Sequence, residues 1–236
     1  MSKLKKHYPC LWFDADGTLF DYERAEGSAL KNTFEALDLR FEDDYLDIYQ
    51  CINQGLWRAL EKQEISSAVL RVRRFELLLE AVQLTGSADQ MSTTYIEQLA
   101  LRAELMDGAY EVLDALHGKC QFAIVTNGLQ AVQRSRLKHS TIKDFISQLI
   151  ISEEVGAAKP QAAFFDAAFA RTAARNERPA RSDVLIIGDS LTSDIRGGVG
   201  CGINTCWYNP KAEARPGGLP ITYEIRHLHE LLELLD

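Results

Sequence analysis

The stretch CLWFDADGTLF, residues 10–20, opens with four apolar residues and then turns polar at two carboxylates and a glycine. Four residues are too few for a helix, and the abrupt stop reads as the end of a buried strand over Cys10–Phe13. Similar short apolar runs lie at Phe122–Val125, Leu149–Ile151, Val184–Ile187 and Ile203–Trp207, each closed by polar or glycine-rich residues. Amphipathic helical patterns occupy Ala109–Leu116, Ala131–Leu137, Ala162–Ala174 and Ile225–Leu235. Gly118 and Pro179 punctuate these segments as stop signals. Strand alternating with helix predicts an α/β fold, a doubly wound parallel sheet with helices on both faces.

From Tyr22 to Leu105 the alternation lapses. Only helical periodicity is found there, over Glu23–Leu39, Asp44–Lys62, Ser67–Leu84 and Asp89–Glu104. Turn-prone breaks fall near Glu42–Asp43, at Ile65–Ser66 and at Thr85–Gly86–Ser87. Four such helices can enclose a core of their own. The expected organisation is an α/β core domain of residues 1–20 and 106–236, with a helical cap domain of residues 21–105 inserted after the first strand. Internal repeats and low-complexity segments are absent.

The 236 residues are 46% hydrophobic and 25% charged, an ordinary globular balance. A formal charge of −8 argues against a nucleic acid polymer as partner. It is compatible with a small phosphorylated ligand, since one bound cation can reverse the field within a cleft. Five cysteines with no CxxC pair read as reduced thiols. The apolar part of MSKLKKHYPCLWF is too short for a signal segment, and no run approaches a membrane span. The expectation is a cytoplasmic protein without a membrane partner.

Ligands of open parallel sheets bind beyond the carboxyl ends of the strands, and the polar residues of interest gather there. Asp14 and Asp16 share a face of extended chain at the end of the first strand. One carboxylate can attack phosphorus, and the other can protonate a leaving alcohol and then deprotonate a water. By itself such a pair is more often two solvated acids in a turn. Thr126 and Asn127 in VTNG offer donors for a phosphoryl oxygen, although Asn-Gly alone is chiefly a turn signal. Lys159, before Pro160, could neutralise a phosphate and the attacking carboxylate; a lone lysine is otherwise a surface residue. VLIIGDSLTSDI ends a strand at Asp189 and adds Asp194. Asp189 with Asp14 could hold Mg²⁺ through oxygen, with Asp194 orienting Lys159 or a metal-bound water. The bland readings are an N-cap for Asp189 and a surface acid for Asp194.

Taken together and in this order, the four segments resemble the haloacid dehalogenase superfamily of phosphohydrolases, with its motifs DxDGT, T/S-N, K-P and GDSxxxxD. The resemblance covers the whole chain. It implies Asp14 as nucleophile and Mg²⁺ ligand, and Asp16 as general acid/base that also binds the metal through its carbonyl. It implies Thr126, Asn127 and Lys159 as phosphoryl-binding residues, Asp189 as completing the metal site and Asp194 as its support. An insertion after the first motif matches the subclass with a helical cap. More narrowly, FDADGTLFDYERAE, INQGLWRALEKQEIS, VRRFELLLE, VTNGLQ, ISEEVGAAKP, IIGDSLTSDIRGG, CWYNP and TYEIRHLHELLELL resemble the bacterial pyrimidine 5′-nucleotidases of this superfamily. The implied substrate is a nucleoside monophosphate.

Asn53, Trp57, Arg73 and Phe75 of the cap are of types that could contact a base or sugar, although Trp57 and Phe75 also suit a bundle core. His227 and His229 stand at i, i+2 and do not share a helical face, so they carry no metal-site expectation. Leu228, Leu231, Leu232 and Leu235 read as a core stripe. Asp16 and Asp189 argue against a dehalogenase, which needs neither a leaving-group acid nor Mg²⁺. Asp16 also argues against phosphonate hydrolysis through a cap lysine, which places a smaller residue there. A sugar-phosphate or other small-metabolite phosphatase and a phosphosugar mutase keep the same residues and remain alternatives. A non-catalytic phosphate-binding protein would be expected to have lost one of the four core residues Asp14, Asp16, Lys159 or Asp189.

Overall fold

Six short runs, rich in aliphatic and aromatic residues, pair side by side in the computed structural model, which describes residues 6–173 and 179–235. They are β1 (Cys10–Phe13), β2 (Gln121–Thr126), β3 (Ile146–Ile151), β4 (Val184–Gly188), β5 (Asn204–Tyr208) and β6 (Tyr223–Ile225). All pairings are parallel, in the order β3-β2-β1-β4-β5-β6. Because successive side chains point to opposite faces, β1 feeds two cores. Leu11 and Phe13 join Phe122, Ile124, Leu185 and Ile187 on one face. Cys10 and Trp12 join Ala123, Val125, Val184 and Ile186 on the other. Burial on both faces explains why these strands read as continuous apolar runs. Strand order reverses between β1 and β4, so their carboxyl ends flank the crevice where ligands of such sheets bind.

The described residues also hold ten α-helices: α1 (Tyr22–Ala36), α2 (Tyr45–Glu61), α3 (Ser67–Ala81), α4 (Ala88–Ala100), α5 (Ala109–Leu116), α6 (Gln130–His139), α7 (Ser152–Val155), α8 (Ala162–Arg171), α9 (Arg196–Gly200) and α10 (Leu231–Leu234). A π-helical turn, Leu191–Ile195, leads into α9. Ala174, the expected end of the α8 pattern, lies outside the described residues.

The chain divides into two compact units, Met1–Asp21 with Ala103–Asp236, and Tyr22–Arg102. The second is α1–α4 alone. Its α1 packs on α4, α2 on α3, and α3 on α4. Two of the sequence breaks act as N-caps: Ser66 Oγ accepts from the Val69 N–H and Ser87 Oγ from the Gln90 N–H, both at 3.3 Å. Tyr49, Phe75 and Tyr95 form an aromatic centre with ring centroids 5.3–5.6 Å apart.

One expectation fails. Residues 225–235 are not a single helix. Tyr223–Ile225 pairs with β5 as the edge strand β6, and a 3₁₀ turn over Leu228–Glu230 precedes the short α10. The leucine stripe masked this strand, because its last residue, Ile225, falls in register with it. Leu228, Leu231 and Leu235 do pack into the sheet's core. Among the described residues no helix is long and apolar enough to cross a membrane.

Candidate active site

Asp14 is the first residue past β1, and its N–H donates to the Ile187 carbonyl of β4 at 2.8 Å. That bond holds the chain extended through the acid and fixes it beside Asp189, the first residue past β4. Gly17 then turns back with φ +79°, and a Cβ there would stand 2.9 Å from Asp189 Oδ2. Only glycine meets both demands. Buried Thr18 donates from Oγ1 to Asp189 Oδ1 at 3.2 Å, and the Trp207 indole donates to the Asp189 carbonyl at 3.0 Å.

Lys159 lies at the centre, 1% exposed. Its ammonium donates to Asp14 Oδ1 at 2.6 Å, Asp194 Oδ1 at 2.6 Å and the Val125 carbonyl at 2.7 Å. Three protons meet three acceptors, which satisfies the group completely. Asp194, at 0% exposure, also accepts the Ser190 N–H on Oδ2 at 3.1 Å. Asn127 fixes the lysine from behind: its Nδ2 donates to the Lys159 carbonyl at 2.9 Å and its Oδ1 accepts the Lys159 N–H at 2.8 Å. Both ends of that amide are therefore committed to main chain. Nδ2 carries a second proton, so the Asn127 side chain keeps a donor for a phosphoryl oxygen. Thr126 Oγ1 accepts the Gly128 N–H at 2.9 Å, which leaves its own proton available.

Three carboxylates face one ammonium. Burial, then the charges of Asp194 and Asp189 outweighing that of Lys159, holds Asp14 well above the usual carboxylate range. Asp189 stands at the more open side of the cluster, where the protein packed around its carboxyl and the charge of Asp194 push it up to about 7. Burial opposes the charged form of Lys159, but Asp14 and Asp194 outweigh it and raise the net value. Oxygen atoms of Asp14, Asp189 and Asp194 lie within 4.8 Å of one another. All-oxygen donors with surplus negative charge suit a hard divalent cation such as Mg²⁺ and offer nothing to a thiophilic one.

Asp16 is held by other partners. Gln133 Nε2 donates to its Oδ2 at 2.5 Å, and Arg136 Nη1 donates to its Oδ1. In the helical unit, Asn53 is enclosed by Tyr22, Glu26 and Arg74, and Phe75 is 0% exposed between Tyr49 and Tyr95. Neither presents a group to a ligand, which corrects the expectation for both. Arg73 is exposed and paired with Glu76 at 2.7 Å, and Trp57 is partly buried on α2.

A sequence model of the haloacid dehalogenase-like hydrolases matches residues 11–208, from the first strand through the fifth. The chain belongs to that family. Relatives align over nearly all of it. HAD-hydrolase YfnB of Bacillus subtilis (strain 168) is 35% identical over 98% of this chain and 97% of its own. Pyrimidine 5′-nucleotidase YjjG of Escherichia coli (strain K12) is 35% identical over 95% and 96%, respectively. Pyrimidine 5′-nucleotidase PynA of Streptococcus pneumoniae (strain ATCC BAA-255 / R6) is 33% identical over 97% and 95%. A crystal structure of YfnB bound to magnesium superposes with a TM-score of 0.91, covering 98% of this chain and all of that one.

In this haloacid dehalogenase-like hydrolase, several residues reach the site without a motif to announce them. Gln133 and Arg136 carry one signal, polar residues three apart on one face of α6, but that face reads as solvated without knowledge of Asp16. Trp207 and Ser190 leave no signal, because they act on main chain.

Proposed function

We propose that the chain is a Mg²⁺-dependent phosphomonoesterase that passes through an aspartyl phosphate on Asp14, with pyrimidine nucleoside monophosphates as preferred substrates. The observation that carries the chemistry is Lys159 bridging Asp14 and Asp194 beside Asp189, a buried carboxylate made nucleophilic only where cations gather. Asp14 and Asp189, with the Asp16 carbonyl, would hold Mg²⁺, which when bound neutralises their surplus charge and that of the phosphoryl group. Asp14 attacks phosphorus as the ester oxygen departs, and Asp16 gives that oxygen its proton. A water then attacks the same phosphorus, Asp16 takes its proton, and the bond to Asp14 breaks to release phosphate. Lys159 favours the anionic form of Asp14, partly offsetting burial and the neighbouring acids, and meets the phosphoryl oxygens together with the Thr126 hydroxyl and nearby backbone N–H groups. Asn127 holds Lys159 in place and offers its remaining amide proton to the phosphoryl group.

Support for the nucleotide comes from YjjG and PynA, both pyrimidine 5′-nucleotidases at 35% and 33% identity over nearly the full chain. The core residues address the phosphoryl group that all such esters share. Discrimination is therefore assigned to the helical unit acting as a cap, with Arg73 and Trp57 its remaining candidates. Comparing kcat/KM at saturating Mg²⁺ for pyrimidine monophosphates, purine monophosphates and hexose phosphates tests this. The pyrimidine class is expected to lead. A hexose phosphate ahead by tenfold, about 1.4 kcal/mol of transition-state discrimination, would remove the nucleotidase reading and leave the phosphatase.

A further inference from the structure

Both oxygens of Asp16 are taken by side chains of one helix. Gln133 and Arg136 stand three apart on α6, so they share a face, and they close on the carboxylate from adjacent positions. Arg136 is 0% and Gln133 1% exposed. A guanidinium buried to that degree must be met by charge, and Asp16 provides it. The Arg136 guanidinium also lies 5.4 Å from the centre of the Phe20 ring, which confines it from a further side. A separate feature points the same way. A Cβ on Gly128 would collide with the Gln133 amide, so the residue after Thr126 and Asn127 is bare where that amide passes to Asp16.

We propose that Gln133 and Arg136 are positioning residues for Asp16, a two-pronged grip that fixes the place and orientation of the carboxylate for proton transfer. This rests on the phosphatase reading above. Two donors aimed at two oxygens define the carboxylate plane, which a single contact would leave free to rotate. A grip of this kind changes kcat through Asp16 alone, whereas a tether of α6 to the β1 loop would change stability and act regardless of Asp16.

The experiment compares Arg136→Gln, Arg136→Lys and Gln133→Met, each in wild-type and Asp16→Asn backgrounds, with a nucleoside monophosphate and with p-nitrophenyl phosphate. With the nucleotide, Arg136→Gln and Gln133→Met are expected to lower kcat about tenfold or more, with KM changed by less than about threefold. Phosphorylation of Asp14 by the aryl ester, whose leaving group needs little protonation, should suffer less. Arg136→Lys should recover part of the loss. In the Asp16→Asn background the same substitutions should cost less than about twofold, since the residue they position no longer acts. Should Arg136→Gln fail to fold, Gln133→Met, which keeps the buried cation and the side-chain volume, carries the test alone. Folded variants with wild-type kcat, or losses just as large in the Asp16→Asn background, would overturn the proposal while the phosphatase stands. A wild-type protein inactive on every phosphate ester would overturn both.

Discussion

Asn127 directs both ends of its amide to the main chain of Lys159, and Lys159 divides its three protons among Asp14, Asp194 and the Val125 carbonyl. The lysine is thus aimed by its backbone as well as by its charge. Asn127→Ala should remove two hydrogen bonds worth together about 1–3 kcal/mol, lowering kcat about tenfold and loosening the fold modestly. Steady-state kinetics with thermal melts checks this; wild-type turnover in a folded variant would show that Lys159 needs no such support. Asp189 bears a different load. Burial and the charge of Asp194 raise its pKa, only partly offset by Lys159, whose hydrogen bonds go to Asp14 and Asp194. Asp189→Ala is expected to shift the Mg²⁺ saturation curve of activity upward by at least about tenfold, or to abolish activity. An unchanged curve would remove Asp189 from the metal site.

At the scale of elements, the helical unit buries a charge that its helices must share. Glu26 of α1 accepts from Tyr22 and Asn53 on Oε1 and from Gln50 on Oε2, with Arg74 of α3 bonded to Asn53. Burial raises its pKa, only partly offset by those hydrogen bonds and by Arg74. A raised carboxyl contributes stability that is full below the ordinary glutamate pKa and is lost as pH rises through the raised value. Glu26→Gln cannot titrate. The difference in Tm between variant and wild type should therefore move in favour of the variant as pH rises through that window, then level off. A difference independent of pH would show that Glu26 is not shifted. Much of this unit is legible in sequence, because helix periodicity and caps such as Ser66 and Ser87 are local properties. What is not legible is partnership at a distance. Phe75 reads as either a core or a base-stacking residue until Tyr49 and Tyr95 enclose it. Tyr223–Ile225 becomes a strand only because β5 lies beside it. Asn127 finds Lys159 32 positions away, and nothing in either local sequence says so. The motif acids are legible because their spacing is local and their strands are short, apolar and sharply ended.

For the whole molecule, a sheet whose order reverses between β1 and β4 brings Asp14 and Asp189 together, and β2 with the loop after β3 adds Thr126, Asn127 and Lys159. The central claim is that this assembly makes Asp14 a nucleophile. Asp14→Asn keeps its shape and removes its charge, so turnover should fall by at least about three orders of magnitude, about 4 kcal/mol of barrier. Loss of activity alone would not identify the attacking atom. The direct measurement is a rapid acid quench of enzyme mixed with Mg²⁺ and phosphate-labelled substrate, followed by mapping of the labelled peptide. The expected result is label on Asp14 in the wild type and none in Asp14→Asn. With an aryl phosphate, Asp16→Asn should accumulate label, because the second step lacks its base. Steady turnover with no labelled protein at any quench time, or label on another residue, would contradict the account.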